Sequence, residues 1–402
     1  LGGLKGSSMA ILAVNAGSST LKFSVHPLQN QGVLDPVLIG NIQGLEPAGQ
    51  PRVDWIWQGQ RHQRALPTVE GTPFERALHA LHGLLAELPG LPPLRAVAHR
   101  VVHGGHQYQH SVRITPEVLR ALEQLNSLAP LHQPHNLAGI RAFTAAFPEL
   151  PQVACFDTAF HATLPREESH YALPQTLADQ GVRRYGFHGL SYQSIMGTLQ
   201  SCSARAHGRT LMAHLGNGAS LCATLQGRSQ ATTMGFSALD GLVMGTRCGS
   251  IDPGVLLYLL EQGWDHDRIQ ALLYRQSGLL GVSGIAADMR TLRASTAPAA
   301  QFAIELFTRR VVRATGELSA CIGGLDVLAF SGGIGENDSL LRADVAQRLA
   351  YLGVRVDATL NARPAHGHAA WAIHAPDSAV EVWVVPTDEG RVAAAEAAAL
   401  VL

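Results

Sequence analysis

Two segments far apart in the chain share a pattern that leaves few folds open to it. The apolar run Ile11-Leu12-Ala13-Val14 enters the small-residue turn Asn15-Ala16-Gly17-Ser18-Ser19-Thr20 and leaves as an alternating run that begins Leu21-Lys22-Phe23. Leu211-Met212-Ala213-His214-Leu215 likewise enters Gly216-Asn217-Gly218 and leaves as Ala219-Ser220-Leu221-Cys222. A third glycine turn, Ser331-Gly332-Gly333-Ile334-Gly335-Glu336-Asn337, follows the apolar run Val327-Leu328-Ala329-Phe330, and a helical pattern follows it. Small residues remove the steric barrier to close backbone approach, amides and hydroxyls donate, and Lys22 adds charge, so such turns suit a polyphosphate. Amides at a helix N-terminus after the third turn suit an anion or a nucleoside. The first turn lacks both the GxxxxGK[ST] spacing of a Walker loop and the GxGxxG of a Rossmann turn. Taken alone, it is equally an ordinary hairpin. Two strand-turn-strand loops and one strand-glycine-helix turn, in that order, indicate a duplicated α/β chain closing on a nucleotide.

The bulk properties agree with such a chain. Its 402 residues suit two domains. At 46% hydrophobic and 15% charged, it has apolar material for a large core. The net charge of −1 comes with no Lys/Arg block, which argues against nucleic-acid and membrane-surface partners. No apolar run reaches the roughly 20 residues of a membrane span. Leu1–Ser8 lacks the apolar core of a signal peptide and reads as an expression remnant before Met9, so the expected compartment is the cytoplasm. Five dispersed cysteines without C-x-x-C spacing fit free thiols in a reducing compartment. His99, His103, His106 and His110 fall at helical spacing, which would suit a metal. However, Ala96–Val102 reads as a buried strand that ends at Gly104-Gly105 and breaks that alignment.

Helices alternate with the strands. Thr72-Pro73-Phe74-Glu75 is a capping box ahead of Leu78, Leu81, Leu84, Leu85 and Leu88 at helical spacing. Thr115-Pro116 starts another helix. A long amphipathic helix is expected over Phe302–Ile322, stopped by Gly323-Gly324 and followed by a strand over Asp326–Phe330. Ala-rich Glu389–Leu402 reads as a terminal helix. The alternation places the chain in the α/β class.

Several side chains stand out within this frame. Arg100 lies in an apolar strand, where an unpaired guanidinium is costly. It is either half of a structural ion pair or a fork for a carboxylate. Asp157 directly follows the apolar run Gln152–Phe156; strand carboxyl ends are where α/β sheets place active groups, and a helix cap is the bland alternative. Arg247 lies in the turn Gly245-Thr246-Arg247-Cys248-Gly249-Ser250, where a surface arginine is the simplest reading. His188, between Phe187 and Gly189 and next to a packed aromatic, reads on its own more often as a core histidine.

These residues carry a resemblance to a known family. Asn15–Val25, His99-Arg100-Val101-Val102-His103-Gly104-Gly105, Phe156-Asp157-Thr158-Ala159-Phe160-His161, Arg184-Tyr185-Gly186-Phe187-His188-Gly189, His214-Leu215-Gly216-Asn217-Gly218 and Met244-Gly245-Thr246-Arg247 resemble the acetate kinases, in consistent order from Met9 to the end. The resemblance implies a duplicated actin-like (ribonuclease H-like) two-domain α/β fold with mixed sheets and a nucleotide cleft between the domains. Residues 9–156 with 388–402 would form the N-terminal domain, and 157–387 a C-terminal domain carrying most of the nucleotide site. The implied activity is reversible, in-line phosphoryl transfer from ATP to acetate, giving acetyl phosphate and ADP, with Mg2+ or Mn2+, in a homodimer.

The resemblance also assigns roles. Arg100 would clamp the substrate carboxylate, and His188 and Arg247 would stabilise charge on the transferring phosphoryl group. Asp157 would be the essential acidic residue, as base or as orienter of an arginine or a metal-bound water; acetate has no proton to remove at neutral pH. Asn15 and Glu389 would lie near the metal. Lys22, His214, Leu215, Gly216, Asn217 and Gly218 would lie near phosphates. Asp288, Met289 and Arg290, with Gly333, Ile334, Gly335, Glu336 and Asn337, would lie by the adenosine. His132 would sit near the acetate, whose methyl would meet Val102, Leu131, Phe187 and Ala238. Five positions depart from the family pattern: Asp388 and Gly390 replace Asn and Glu, Gln133 an Asn, Ser250 an Asp, and Ala238 a Pro. The smaller Ala238 is expected to admit propionate more readily. Three alternatives stand beside this reading: a propionate or butyrate kinase of the same family, an actin-like nucleotide switch or chaperone, and a metal hydrolase using the histidine-rich strand end.

Overall fold

The computed structural model describes residues 9–402 except 18, 30–31, 46–48, 67–71, 365–366 and 368. Leu1–Ser8, expected to be an expression remnant, and Ser18 of the first turn lie outside the described residues. The chain divides into two compact units, one ending at Ala159 and regaining Asp388–Leu402, the other spanning Phe160–Thr387.

The first unit is built on nine strands among the described residues: β1 (Ala10–Ala16), β2 (Leu21–Gln29), β3 (Gly32–Val33), β4 (Leu38–Gln43), β5 (Arg52–Trp57), β6 (Gln60–Ala65), β7 (Leu94–Val101), β8 (Val112–Arg113) and β9 (Gln152–Phe156). Their order is β6-β5-β4-β2-β1-β7-β9-β8, with β3 paired to β2. The strands from β6 to β1 are antiparallel neighbours, whereas β1, β7 and β9 run parallel. One face buries Leu12, Val14, Leu21 and Phe23 against Leu78, Leu81 and Leu84 of the Pro73–Glu87 helix. That helix starts with both halves of its capping box formed at Thr72 and Glu75. The terminal Glu389–Val401 helix buries Ala393, Ala394, Ala397 and Ala398 and packs on β1, β7 and β9; the small alanines permit close approach of helix to sheet.

The second unit repeats the plan with β10 (Arg209–Leu215), β11 (Ala219–Leu225), β12 (Arg228–Thr232), β13 (Val327–Ser331), β14 (Trp371–Ala372) and β15 (Glu381–Val384), ordered β12-β11-β10-β13-β15-β14. Here β12, β11 and β10 are antiparallel neighbours, and β10, β13 and β15 run parallel. The run β4-β2-β1-β7-β9 and the run β12-β11-β10-β13-β15 are one topology used twice, so the duplicated mixed-sheet α/β architecture is present.

Two boundaries differ from expectation. The long helix spans Pro298–Cys321, one turn earlier than the apolar pattern indicated. Proline at its first position supplies the start, and Phe302, the first residue of the apolar pattern, is 58% exposed. The third glycine turn is itself a helix, Gly332–Asn337, rather than a loop ahead of one. The Glu336 carboxylate accepts from the Gly332 amide at 3.0 Å, so that amide is occupied within the segment. A second helix, Ser339–Arg348, follows directly. No helix among the described residues is long and apolar enough to cross a membrane.

Candidate active site

In the first unit, the parallel arrangement brings the carboxyl ends of β1, β7 and β9 side by side. Asn15 lies next to last on β1, Arg100 next to last on β7, and Asp157 directly after β9. Arg100 stands opposite Cys155 in the β7–β9 register, and the Asp157 amide extends the ladder by donating to Val101 O at 3.0 Å. The Arg100 guanidinium then meets the Asp157 carboxylate edge-on: Nε donates to Oδ1 at 2.9 Å and Nη2 to Oδ2 at 2.7 Å. Glu389, first residue of the terminal helix, places Oε2 3.5 Å from Arg100 Nε. Burial disfavours the charge on Arg100, but the Asp157 and Glu389 carboxylates outweigh it and hold the guanidinium protonated. Asp157 is 2% exposed and Arg100 22%, so the pair is anchored inside with one edge of the arginine at the surface.

Asn136, which the sequence reading passed over, and Gln133, to which it gave no role, hold this corner in shape. Asn136 accepts from Val102 N and donates to Ala16 O, both at 3.0 Å, and so ties the end of β1 to the segment after β7. Gln133, the departure from the family's Asn, brackets the His103 backbone, accepting from its amide at 3.2 Å and donating to its carbonyl at 2.9 Å. Both are buried although their type favours the surface, and the sequence carries no signal of that burial. His132 caps the Gln133–Ala146 helix by position, and Leu131 precedes it; both are half-buried. The histidine row is divided: His99 is buried against Gln152 Oε1 at 2.6 Å, and His103 Nδ1 accepts from Gly105 N at 2.9 Å. Burial pushes both imidazoles down to about 4. Among the described residues no group of three or more His, Cys, Asp or Glu is placed to hold a metal.

Lys22 is exposed on β2, opposite Asn15. The terminal helix starts at the other departures. Asp388 caps it, accepting from Arg391 N at 2.9 Å. A Cβ on Gly390 would lie 2.6 Å from Ser24 Oγ, which is itself hydrogen-bonded to buried His26 at 2.8 Å. Ser24 therefore occupies the space that a side chain at 390 needs, and glycine is the residue that fits.

The second unit carries the other candidate residues. His214 lies on β10 opposite Ser220 of β11, one pair before the hairpin closes through Gly216-Asn217-Gly218. The loop holding Arg247 abuts this turn, with Gly245 N donating to Asn217 O at 3.0 Å. Arg247 Nη1 donates to Ala238 O at 2.7 Å. A Cβ built on Gly218 would lie 2.7 Å from Arg247 Nη2 and 3.3 Å from His188 Nε2, so glycine here lets two donors converge on the turn. His188 adopts φ 58°, a left-handed conformation uncommon for a residue with a side chain, immediately before the Gly189–Cys202 helix. His161 braces it, its Nε2 2.8 Å from Phe187 O, and Gly186 at φ 74° is required because a Cβ would lie 2.6 Å from the His161 ring. The rings of His188 and His214 stack at 4.3 Å, and His214 Nδ1 is 2.7 Å from Ser191 Oγ.

The remaining positions are more peripheral in this unit. Asp288 caps the Met289–Ala294 helix through Thr291 N at 3.0 Å; Met289 is buried and the Arg290 side chain is 93% exposed. Ser250, replacing the family's Asp, donates to Asp240 Oδ1 at 2.6 Å. Gly333 and Asn337 are exposed on the Gly332–Asn337 helix, Ile334 and Glu336 are half-buried, and Gly335 is buried. Phe187 is buried and Ala238 half-buried.

Comparison with known proteins agrees over nearly the whole chain. The Acetokinase family model matches residues 10–395. An acetate kinase of Rhodopseudomonas palustris is 49% identical over 386 residues, 95% of this chain and 96% of the relative. A solved propionate kinase from Francisella tularensis superposes with a TM-score of 0.88 at 35% identity, covering 96% of this chain and 98% of that one. An acetate kinase structure from Porphyromonas gingivalis gives a TM-score of 0.85 at 33% identity over 97% and 98%.

Proposed function

This chain belongs to the acetokinase family, and we propose that it is an acetate kinase, transferring a phosphoryl group reversibly between ATP and acetate. The observation that carries this reading is Arg100. Its guanidinium is kept charged and held in plane by Asp157 through Nε and Nη2, while Nη1 makes no hydrogen bond among the described residues. That leaves the outer fork, the two-pronged face that suits a carboxylate. Asp157 acts here as orienter of Arg100. In the second unit, His188 and Arg247 supply oriented donors for the oxygens of a phosphoryl group, and the 214–218 hairpin supplies amides for further phosphates. Phosphoryl transfer needs little covalent work from protein; it needs two anions positioned and their charge neutralised.

The family generally uses a divalent metal, and the donors present fit Mg2+. Asn15 offers an amide oxygen, and Glu389 a carboxylate that is 23% exposed and paired only at 3.5 Å, with lone pairs to spare. Few protein oxygens and several waters are what Mg2+ prefers. When bound, the ion neutralises charge on the phosphate oxygens of ATP.

A second reading, a propionate kinase, rests on Ala238, which is smaller than the proline common at this position of the family. A nucleotide switch on the same fold has no use for a carboxylate-binding arginine. A homodimer is supported by the Pro253–Glu261 helix, which buries none of its residues in the chain and exposes Leu257 at 63%, Tyr258 at 58% and Leu260 at 53%; a monomer in sedimentation at working concentration removes that reading.

The deciding experiment incubates the protein with ATP, Mg2+ and hydroxylamine, with and without each acid from formate to butyrate. Acetate-dependent hydroxamate is the expected result. ADP release that needs no acid points to the switch, and a higher kcat/KM with propionate points to the second reading.

A further inference from the structure

Next to His188 lies a pair of hydroxyls that phosphoryl binding as described does not use. Ser220 Oγ is 2.8 Å from His188 Nδ1, and the same oxygen is hydrogen-bonded to the Tyr192 hydroxyl. Both Ser220 and Tyr192 are fully buried. Tyr192 follows His188 by four residues, on the same side of the first turn of the Gly189–Cys202 helix, and Ser220 reaches them from β11.

The protons in this chain have one self-consistent arrangement. Burial pushes the Tyr192 phenol well above its usual value, so it keeps its proton, and a buried hydroxyl proton without an acceptor is costly. Among the described residues, Ser220 Oγ is the hydrogen-bond partner of that hydroxyl. The phenol therefore donates to Ser220. Ser220, which cannot donate back along the same line, directs its own proton at His188 Nδ1. A neutral imidazole that accepts at Nδ1 carries its proton on Nε2. Nε2 is the nitrogen beside Gly218 and Arg247 Nη2.

We propose that Tyr192 and Ser220 are positioning residues that lock neutral His188 in the Nε2–H tautomer, so that Nε2–H and Arg247 Nη2 stand as paired donors over the glycine turn. The backbone at φ 58° and the stack on His214 set the plane of the ring; the hydroxyl pair sets where its proton is. Facing the imidazole are His214 at 4.3 Å, Arg247 across Gly218, and Tyr192 beyond Ser220. The opposite tautomer would present a lone pair to a phosphoryl oxygen, which repels it. The catalytic part of this inference rests on the reading of His188 as a phosphoryl-binding group; the tautomer does not.

The test is long-range proton–nitrogen NMR of the full chain with nitrogen-15 histidine, above the ordinary titration range of imidazole, with His188 assigned by its loss in His188→Gln. The expected wild-type spectrum has a protonated Nε2 and an unprotonated Nδ1. In Tyr192→Phe, Ser220 is released to accept as well as donate, and both tautomers appear. In Ser220→Ala the lock is lost by a different route, while Ser220→Thr restores the hydroxyl and the single tautomer. In Tyr192→Phe, kcat falls about two- to tenfold, the span of one orienting hydrogen bond, with both KM values within about twofold. A wild-type Nδ1–H tautomer, or an Nε2–H signal that neither Tyr192→Phe nor Ser220→Ala disturbs, overturns the lock. A spectrum that mixes as expected with kcat unchanged leaves the lock standing and overturns the role of His188 toward the phosphoryl group.

Discussion

The two hairpins that head the two sheets occupy equivalent places and carry different chemistry. In the first, Asn15 faces Lys22 one pair before the turn; in the second, His214 faces Ser220 at the same place. Around the first hairpin the strand ends gather formal charge, Arg100 against Asp157 and Glu389. Around the second they gather imidazole and hydroxyl hydrogen-bonding groups, with Arg247 as the added charge. On the function proposed above, the difference follows from what each would hold. A carboxylate substrate brings a fixed charge, which a fixed, ion-paired guanidinium matches. A phosphoryl group redistributes its charge during transfer, and oriented neutral donors that need no reorganisation favour the transition state over the ground state.

The largest effect that tests this division is Arg100→Ala. Truncating one partner of a buried, hydrogen-bonded charge pair costs about 2–5 kcal/mol, or about 30- to 4,000-fold in turnover with acetate. Near wild-type turnover would reduce the Arg100–Asp157 pair to a structural ion pair. A smaller effect is expected from Glu389→Gln, which keeps the shape and loses the charge. The Mg2+ concentration for half-maximal rate should rise on the order of tenfold, and an unchanged titration takes Glu389 out of the metal site. The smallest concerns Ala238→Pro, on the second unit. Among the described residues the Ala238 amide donates no hydrogen bond, and its carbonyl, which holds Arg247, survives the change. The ratio of kcat/KM for acetate over propionate should rise by about tenfold at most, the lower end of what one methylene commands in an apolar pocket. An unchanged ratio means that neighbouring side chains already fill the space.

The strands, the capping box at Thr72, the Thr115-Pro116 helix start and the terminal helix were legible because their signals are local. The pairing of Arg100 with Asp157 was not: the two are 57 residues apart, and their meeting depends on the β7–β9 register. An arginine in an apolar strand indicated only that a partner must exist. The Tyr192–Ser220 chain was hidden for a similar reason, since a helix turn and a hairpin strand 28 residues apart have to meet. His188 and Tyr192 at helical spacing were the one visible trace. The third glycine turn was misplaced because glycines read as loop, whereas Ser331-Gly332-Gly333 passes directly into a helix that Glu336 closes on itself. The role of Gly390 is not legible in the sequence, because it depends on Ser24 packing against it from a distant strand.

The division of labour between the two units is tested most directly by calorimetric titration of Mg-ATP into Arg100→Ala. If the first unit holds the carboxylate and the second the nucleotide, the variant that has lost its turnover binds Mg-ATP with a Kd within about threefold of wild type, a difference under about 0.7 kcal/mol. A Kd weakened tenfold or more would contradict it, because Arg100 would then be serving the nucleotide rather than the acid.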